Sequence, residues 1–467
     1  MLLLAGAILD LSQRYGTARH RAPFLSPGYS MSSAPPAASI GIDFGTSNTV
    51  VAMATADGRV ETIRFEHGGT AESAYASALC FWQEHSGSGL PPRAEGGPWA
   101  IERFLEGATA LRFIQSFKTF AASRSFQSTI IFRQRFQFED LLAAFLRTLT
   151  RHAGAGLDLA AARITIGRPV RFSGTHPEDA LAMQRYRDAF ARMGVTNARY
   201  VYEPVGAAFS FARTLDRDAT VLVADFGGGT SDFSILRFSR KGGVLQAEPL
   251  GHAGIGIAGD TFDSRIVGQV VAPRLGKGGS YRSFGKVLTL PGHYYTTLAR
   301  WNELALMKGS ADLRELRELA RSALDPAPLH DFITLVEHDM GFPLYRAVSA
   351  AKVALSANDA VDFTFVESGI DIRSTITRAD FESWIGEDLA RIAATVDQVL
   401  AVSRVTPQEI EKVFLTGGTS FVPSVQRLFA ERFGEEKLTS ADQFESIAQG
   451  LALIGQAENP DQWAVAA

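Results

Sequence analysis

Alternation of apolar and polar positions divides this chain into short strands and longer helices. Ser39 to Ala54 reads as a strand pair around a glycine turn, and Arg59 to Phe65 supplies a third strand after the Asp57-Gly58 turn. From Gly68 to Trp99 glycine, serine and proline dominate, which predicts loops or a surface insertion. Apolar residues at helical spacing then predict helices over Ala100–Ala122 and Phe138–His152. Arg163–Ile166 reads as a strand, Pro177–Met193 as a helix and Arg199–Tyr202 as a strand. Glu203-Pro204 opens a helix through Arg213, with proline suited to the first helical turn. Thr220–Ala224 is a buried strand that feeds a second glycine turn. Thr261 to Ala357 is mostly helical, broken at Gly276–Tyr281 and at Leu290-Pro291-Gly292. A strand pair follows at Asp362–Val366 and Ile370–Ile376, then a helix from Arg378 to Ser403, the strand Val413–Leu415, Gly417-Gly418, and a helix ending near Phe433. Strands and helices alternating in this way predict mixed α/β layers.

The 467 residues exceed what one core supports, so two domains are expected. A net charge of −4, with basic residues spread along the chain, gives no electrostatic footprint for nucleic acid. One cysteine, Cys80, excludes an internal disulfide and suits a reducing compartment, most simply the cytoplasm. Cys80 itself reads as a buried small hydrophobe. No apolar run reaches the roughly 20 residues that cross a membrane. Met1–Leu11 has an apolar character but lacks a basic leader, and Met31 opens a polar, proline-containing lead into the first strand. Residues 1–38 are therefore expected to be disordered or an over-extended start.

The candidate chemistry lies in two turns that read almost alike. Ile42-Asp43-Phe44-Gly45-Thr46-Ser47-Asn48 and Ala224-Asp225-Phe226-Gly227-Gly228-Gly229-Thr230-Ser231-Asp232 each place an aspartate at a strand end, then glycines and hydroxyls in the turn. Glycine lets the backbone approach a ligand closely, so that successive N–H groups converge on an anion. Two such turns can clamp a polyphosphate, and Asp43 with Asp225 offers carboxylates to Mg²⁺, directly or through its waters. A turn between strands is not a Walker-type loop. No His-Arg-Asp catalytic loop accompanies the Asp-Phe-Gly triplets, so the protein-kinase reading fails.

These residues carry a family resemblance, to the ATPase region of the seventy-kilodalton heat-shock (DnaK-type) chaperones in the actin-like superfamily. GIDFGTSNTVVAM (41–53) resembles the first phosphate loop, VADFGGGTSDFSIL (223–236) the second, YEPVGAAFSFA (202–212) the connecting helix and VFLTGGTSFVPSVQRLF (413–429) the adenosine loop. The resemblance implies an actin-like fold with duplicated ribonuclease H-like halves and an interlobe cleft for ATP and Mg²⁺. Lobe I would span 39–213, with an insertion at about 68–138. Lobe II would span 214–457, with a helical insertion at 265–380, before a tail at 458–467. Asp43, Asp225 and Asp232 would organise the metal. Glu203 would position the attacking water, with Asp225 and Thr230 also catalytic. Gly45, Thr46, Ser47, Asn48, Gly227, Gly228, Gly229 and Thr230 would hold phosphates. Lys352, Ser356, Gly417, Gly418 and Thr419 would hold the nucleoside.

The chain also departs from the family pattern. Val353 and Phe421 stand where the chaperones carry adenine-stacking arginines, and Gly97–Phe104 lacks the catalytic lysine. Arg103 or Lys118 is the candidate replacement. Asn48 replaces an aromatic residue, and Gly167–Phe172 (GRPVRF) replaces a Val-Pro-Ala-Tyr-Phe type segment. A linker, peptide-binding domain and lid are not expected, which resembles the stand-alone YegD-like subgroup. The function implied is a slow ATPase or nucleotide switch acting through an unknown protein partner. The alternatives are a polymerising actin-like protein similar to MreB, or a small-molecule kinase of the same superfamily. Residues 103–138 hold eight of the 32 phenylalanines among basic residues, a pattern read as core under snorkelling arginines.

Overall fold

The computed structural model describes residues 38–465, apart from 56, 84–89, 108–110, 155–156, 161, 175, 242–243, 301–302, 305–306, 309 and 441–444. The expectation for the N-terminal segment up to residue 37 lies outside the described residues.

The first sheet starts where alternation begins. Ser39–Phe44 (β1) turns back into Asn48–Ala54 (β2), pairing Asp43 with Val50 and Phe44 with Thr49, and Val60–Thr62 (β3) adds an antiparallel edge. Period-two geometry puts Asp43 and Phe44 on opposite faces. Phe44 is fully buried against Phe117, Phe145 and Tyr186.

Within the stretch read as loops, Ala78–Trp82 (β4) and Arg93–Gly96 (β5) form strands. The single long helix expected from Ala100 is not formed. Helix α1 covers Gly97–Leu105, Leu111–Gln115 (β6) is a strand, and Phe117–Phe120 makes one 3₁₀ turn. The physical reason is pairing: β4 takes β5 on one side and β6 on the other, which buries Cys80, Phe113 and Ile114. Ser116, at a left-handed φ of 51°, then turns the chain out of the strand.

The half is completed by α2 (Phe138–Ala153), the strand β7 (Arg163–Arg168), α3 (Asp179–Ala191), β8 (Arg199–Tyr202) and α4 (Glu203–Ala212). Strands β7 and β8 join β1 in parallel, giving the order β8-β7-β1-β2-β3.

The second sheet repeats this plan. Ala219–Phe226 (β9), Ser231–Lys241 (β10) and Val244–Ile255 (β11) form an antiparallel meander. The chain then runs through α5 (Gly259–Ile266), an antiparallel hairpin of Ser280–Ser283 with Lys286–Thr289, α6 (His293–Leu298), α7 (Ala311–Ser322) and α8 (Gly341–Ala357). The hairpin was not expected from the sequence. The strand pair Ala360–Glu367 and Ile370–Thr377 forms as read, but the helix expected from Arg378 breaks at Ile385 into Arg378–Trp384 and α9 (Gly386–Ser403). Strand β12 (Lys412–Thr416), α10 (Pro423–Phe433), β13 (Leu438–Ser440) and α11 (Ser446–Gln456) end the fold. The order is β11-β10-β9-β12-β13, with β12 and β13 parallel to β9. Strand for strand, β9 to β13 reproduce the arrangement of β1, β2, β3, β7 and β8.

Two helices fasten the halves together. Although it comes last, α11 packs on β1, β2 and β7, while α4 lies against β9, β10 and β12, and the two helices touch each other. The approach is close enough to require glycine: a Cβ on Gly450 would stand 1.7 Å from the Gly206 carbonyl oxygen, and one on Gly41 would stand 2.1 Å from the Ala448 carbonyl oxygen. Val205, Phe211, Val223, Leu236, Phe414, Leu451 and Ile454 form the apolar seam around this crossing. Phe342 of α8 also reaches the first half, its ring centroid 6.0 Å from that of Phe104 and 5.3 Å from that of Phe113, beside a cavity of about 140 Å³.

Candidate functional site

The first glycine turn is buttressed by a residue that sequence reasoning missed. Ser77 donates its backbone N–H to Ser47 O and its hydroxyl to Gly45 O, both at 2.8 Å, and its Oγ lies 2.9 Å from that of Thr49. The second turn is closed by Gly227 N to Thr230 O at 2.9 Å and tied to α5 by Asp260 N to Gly228 O at 2.8 Å.

The turns face each other. A Cβ on Gly228 would meet Ser47 Oγ at 2.9 Å and Asp260 Oδ1 at 3.1 Å, and one on Gly229 would meet Thr46 Oγ1 at 3.3 Å and Ser173 Cβ at 3.4 Å. Side chains on these glycines would therefore fill the space between the loops.

The third glycine turn joins them. Gly417, at φ 84°, sits so close to the second turn that a Cβ would lie 2.0 Å from Phe226 O. Thr419 Oγ1 and Lys352 Nζ converge on Gly259, at 3.0 and 3.2 Å from where its Cβ would be. Lys352 is not a solvated helix lysine, because Nζ pairs with Asp263 at 2.9 Å and donates to Gly259 O at 3.2 Å. Gly418 opens onto free space, and Ser356 bonds back to Lys352 O of its own helix.

Lys118, and not Arg103, stands at the strand ends. Its Nζ donates to Glu203 Oε1 at 2.8 Å, with both side chains almost fully buried, and lies 5.9 Å from the Phe44 ring centroid. Burial works against the ammonium, but Glu203, Tyr186 and Asp43 outweigh it and raise its pKa. Arg103 instead pairs with Glu106 and lies over Trp82.

One buried ammonium thus faces the carboxylates of Asp43, Glu203 and Asp225, with Asp232 beside Asp225 and Glu203. Burial pushes Asp43 up to about 7, with repulsion from Glu203 added and Lys118 pulling it back. Asp225 is driven well above the carboxylate range by burial and then by Glu203, Asp43 and Asp232. Asp232 rises to about 7 by burial and Glu203, against a Thr230 hydrogen bond and the amides of Arg171 and Val170.

Those amides come from the departing segment GRPVRF. Val170 N and Arg171 N donate to Asp232 Oδ1 at 2.7 and 3.2 Å, while its buried Oδ2 finds no partner. The buried Arg168 guanidinium fixes this segment by donating to Pro169 O and Val170 O, pairing with Asp179 and lying over Phe172 and Tyr202.

An excess of buried negative charge with an orphaned carboxylate oxygen fits a cation.

The family model described as "Hsp70 protein" matches residues 119–276 and 338–465, well over half of the chain. This chain belongs to the Hsp70 family. The family implies an actin-like ATPase fold, in keeping with the repeated sheet plan. The chain is 26% identical over 437 residues to the "Chaperone protein HscA homolog" of Pseudomonas fluorescens, covering 89% of this chain and 57% of that protein. It is 27% identical over 421 residues to the "Chaperone protein DnaK" of Thermotoga maritima, covering 89% of this chain and 58% of that one. The chain thus spans under three fifths of these Hsp70 relatives. Among the described residues no helix is long and apolar enough to cross a membrane.

Proposed function

We propose that this Hsp70-family chain binds Mg-ATP between two actin-like lobes and works as a slow ATPase or nucleotide switch on a protein partner. The carrying observation is the facing of Thr46 and Ser47 against Gly228 and Gly229, at strand ends that hold the buried carboxylates and Lys118. The lobes are read as 39–213 and 214–457, with the helical insertion at 265–380. A YegD-like affiliation and a cytoplasmic setting belong to the same proposal.

In this reading Gly45, Thr46, Ser47, Asn48, Gly227, Gly228, Gly229 and Thr230 hold the phosphates through backbone N–H groups and hydroxyls. Lys352, Thr419, Gly417 and Gly418 border the nucleoside, with Ser356 one helical turn further on. Bound Mg²⁺ supplies charge neutralisation of the phosphate oxygens. Asp43, Asp225 and Asp232 would hold the ion. Glu203 orients water, and Lys118 meets developing negative charge. The Lys118–Glu203 pair supports slowness, because each group has to loosen from the other before it serves the reaction.

The test is ATP calorimetry with Mg²⁺ on wild type and Asp225→Ala, paired with a phosphate-release assay. Binding that is lost in the variant, with slow release in the wild type, is expected. Wild type that binds no Mg-ATP ends the proposal. ATP-dependent pelleting would favour a polymerising protein, and release that requires an added sugar would favour a kinase.

A further inference from the structure

Away from the glycine turns, the start of α6 and the first turns of α7 gather three metal-ligating side chains. One donor atom each from His293, Asp312 and Glu315 lies within 4.8 Å of the others, and no other group of this kind occurs among the described residues. His293 is the first residue of α6, and Asp312 with Glu315 occupies one face of α7 at i, i+3 spacing.

Two carboxylates so placed repel each other, and four cations close by in the chain pair with other carboxylates. Arg300 pairs with Glu303, Lys308 with Asp339, Arg317 with Glu337 and Arg321 with Glu318. The cluster is also held in shape. Buried Tyr294 donates its hydroxyl to Glu315 Oε2 at 3.1 Å, while its ring lies 3.9 Å from that of His293. A hydrogen bond that orients a ligating carboxylate from outside is the usual support of a metal centre.

The donor set indicates the ion. An imidazole nitrogen with two carboxylate oxygens suits zinc, cobalt or manganese, whereas Mg²⁺ and Ca²⁺ prefer oxygen alone. The ligands are exposed or half-buried, which leaves room for water to complete the coordination. We propose that His293, Asp312 and Glu315 form a binding site for a divalent transition-metal ion that clips α6 to α7. The ion would close the connection between these helices and steady the insertion that carries them.

The probe is Co²⁺, titrated into tag-free full chain with excess Mg²⁺ occupying the oxygen-only sites, and read by visible d–d absorption. One saturable equivalent displaced by Zn²⁺ is expected. His293→Ala and the near-isosteric Glu315→Gln abolish it, while Tyr294→Phe weakens it by about tenfold or more. His330→Ala, a histidine outside the cluster, leaves it unchanged. Circular dichroism confirms that each variant is folded. A wild type without the absorption at low-millimolar Co²⁺, or a folded His293→Ala that retains it, overturns the proposal.

Discussion

Asp225 lies directly opposite Asp232 across the β9–β10 hairpin. Like charges in facing positions cost stability, and here both carboxyls are almost wholly buried. Removing one charge should relieve the fold and harm the site. Asp225→Asn is expected to stabilise the nucleotide-free protein by about 1 kcal/mol in urea unfolding, and to weaken Mg-ATP binding. A less stable nucleotide-free variant contradicts the repulsion argument.

The Lys118–Glu203 pair separates stability from turnover. Lys118→Met strands a buried carboxylate, at a cost of about 3–5 kcal/mol. Adding Glu203→Gln should restore most of that stability. Phosphate release in the double variant should stay down by about 10²–10³-fold, the scale for losing one preorganised charge partner. Recovery of release together with stability would show the pair to be structural only.

The raised carboxyls set a pH dependence. Asp43 and Asp232 titrate near 7 in the fold, against about 3.9 for an unfolded aspartate. A raised carboxyl favours the fold below the unfolded value, and that advantage is lost as pH climbs through about 7. A cation at these groups takes the place of the protons. The rise in melting temperature given by Mg-ATP should therefore be larger at about pH 8 than at about pH 6. A shift that is flat with pH, or reversed, argues against the cation.

The helix crossing is equally exposed to test. Gly450→Ala directs a methyl into the Gly206 carbonyl, which should destabilise the protein by about 3 kcal/mol or more in denaturant melts, since backbone cannot repack as a side chain does. A neutral substitution would mean that α4 and α11 slide apart freely.

Much of this was legible because local rules and the fold agree. Asp-Phe-Gly at a strand end encodes its own geometry, with the aspartate on one face, the phenylalanine in the core and the turn next. Both hairpins formed as read, and Cys80 is the buried hydrophobe expected. Strand β6 was obscured, because five residues with Phe113 and Ile114 inward look helical when read with their neighbours. Glycine and serine around β4 and β5 masked a small sheet. Lys118 and Arg103 are equal candidates in the sequence, because only a single 3₁₀ turn after β6 brings Lys118 to Glu203, 85 positions away. Asp260, Asp263, Ser77 and Ser173 carry no motif; long-range packing alone recruits them.

Helix α11 has a consequence for synthesis. The strands β1, β2 and β7 leave the ribosome early, but the helix that covers one of their faces is encoded by residues 446–456. Until those residues emerge, the nascent first half carries an open apolar surface at Val50, Ala52 and Ala54, a hazard for any large protein made from one end. Its completion has to await residues 446–456, so the halves of this molecule mature together and not in the order in which they are made.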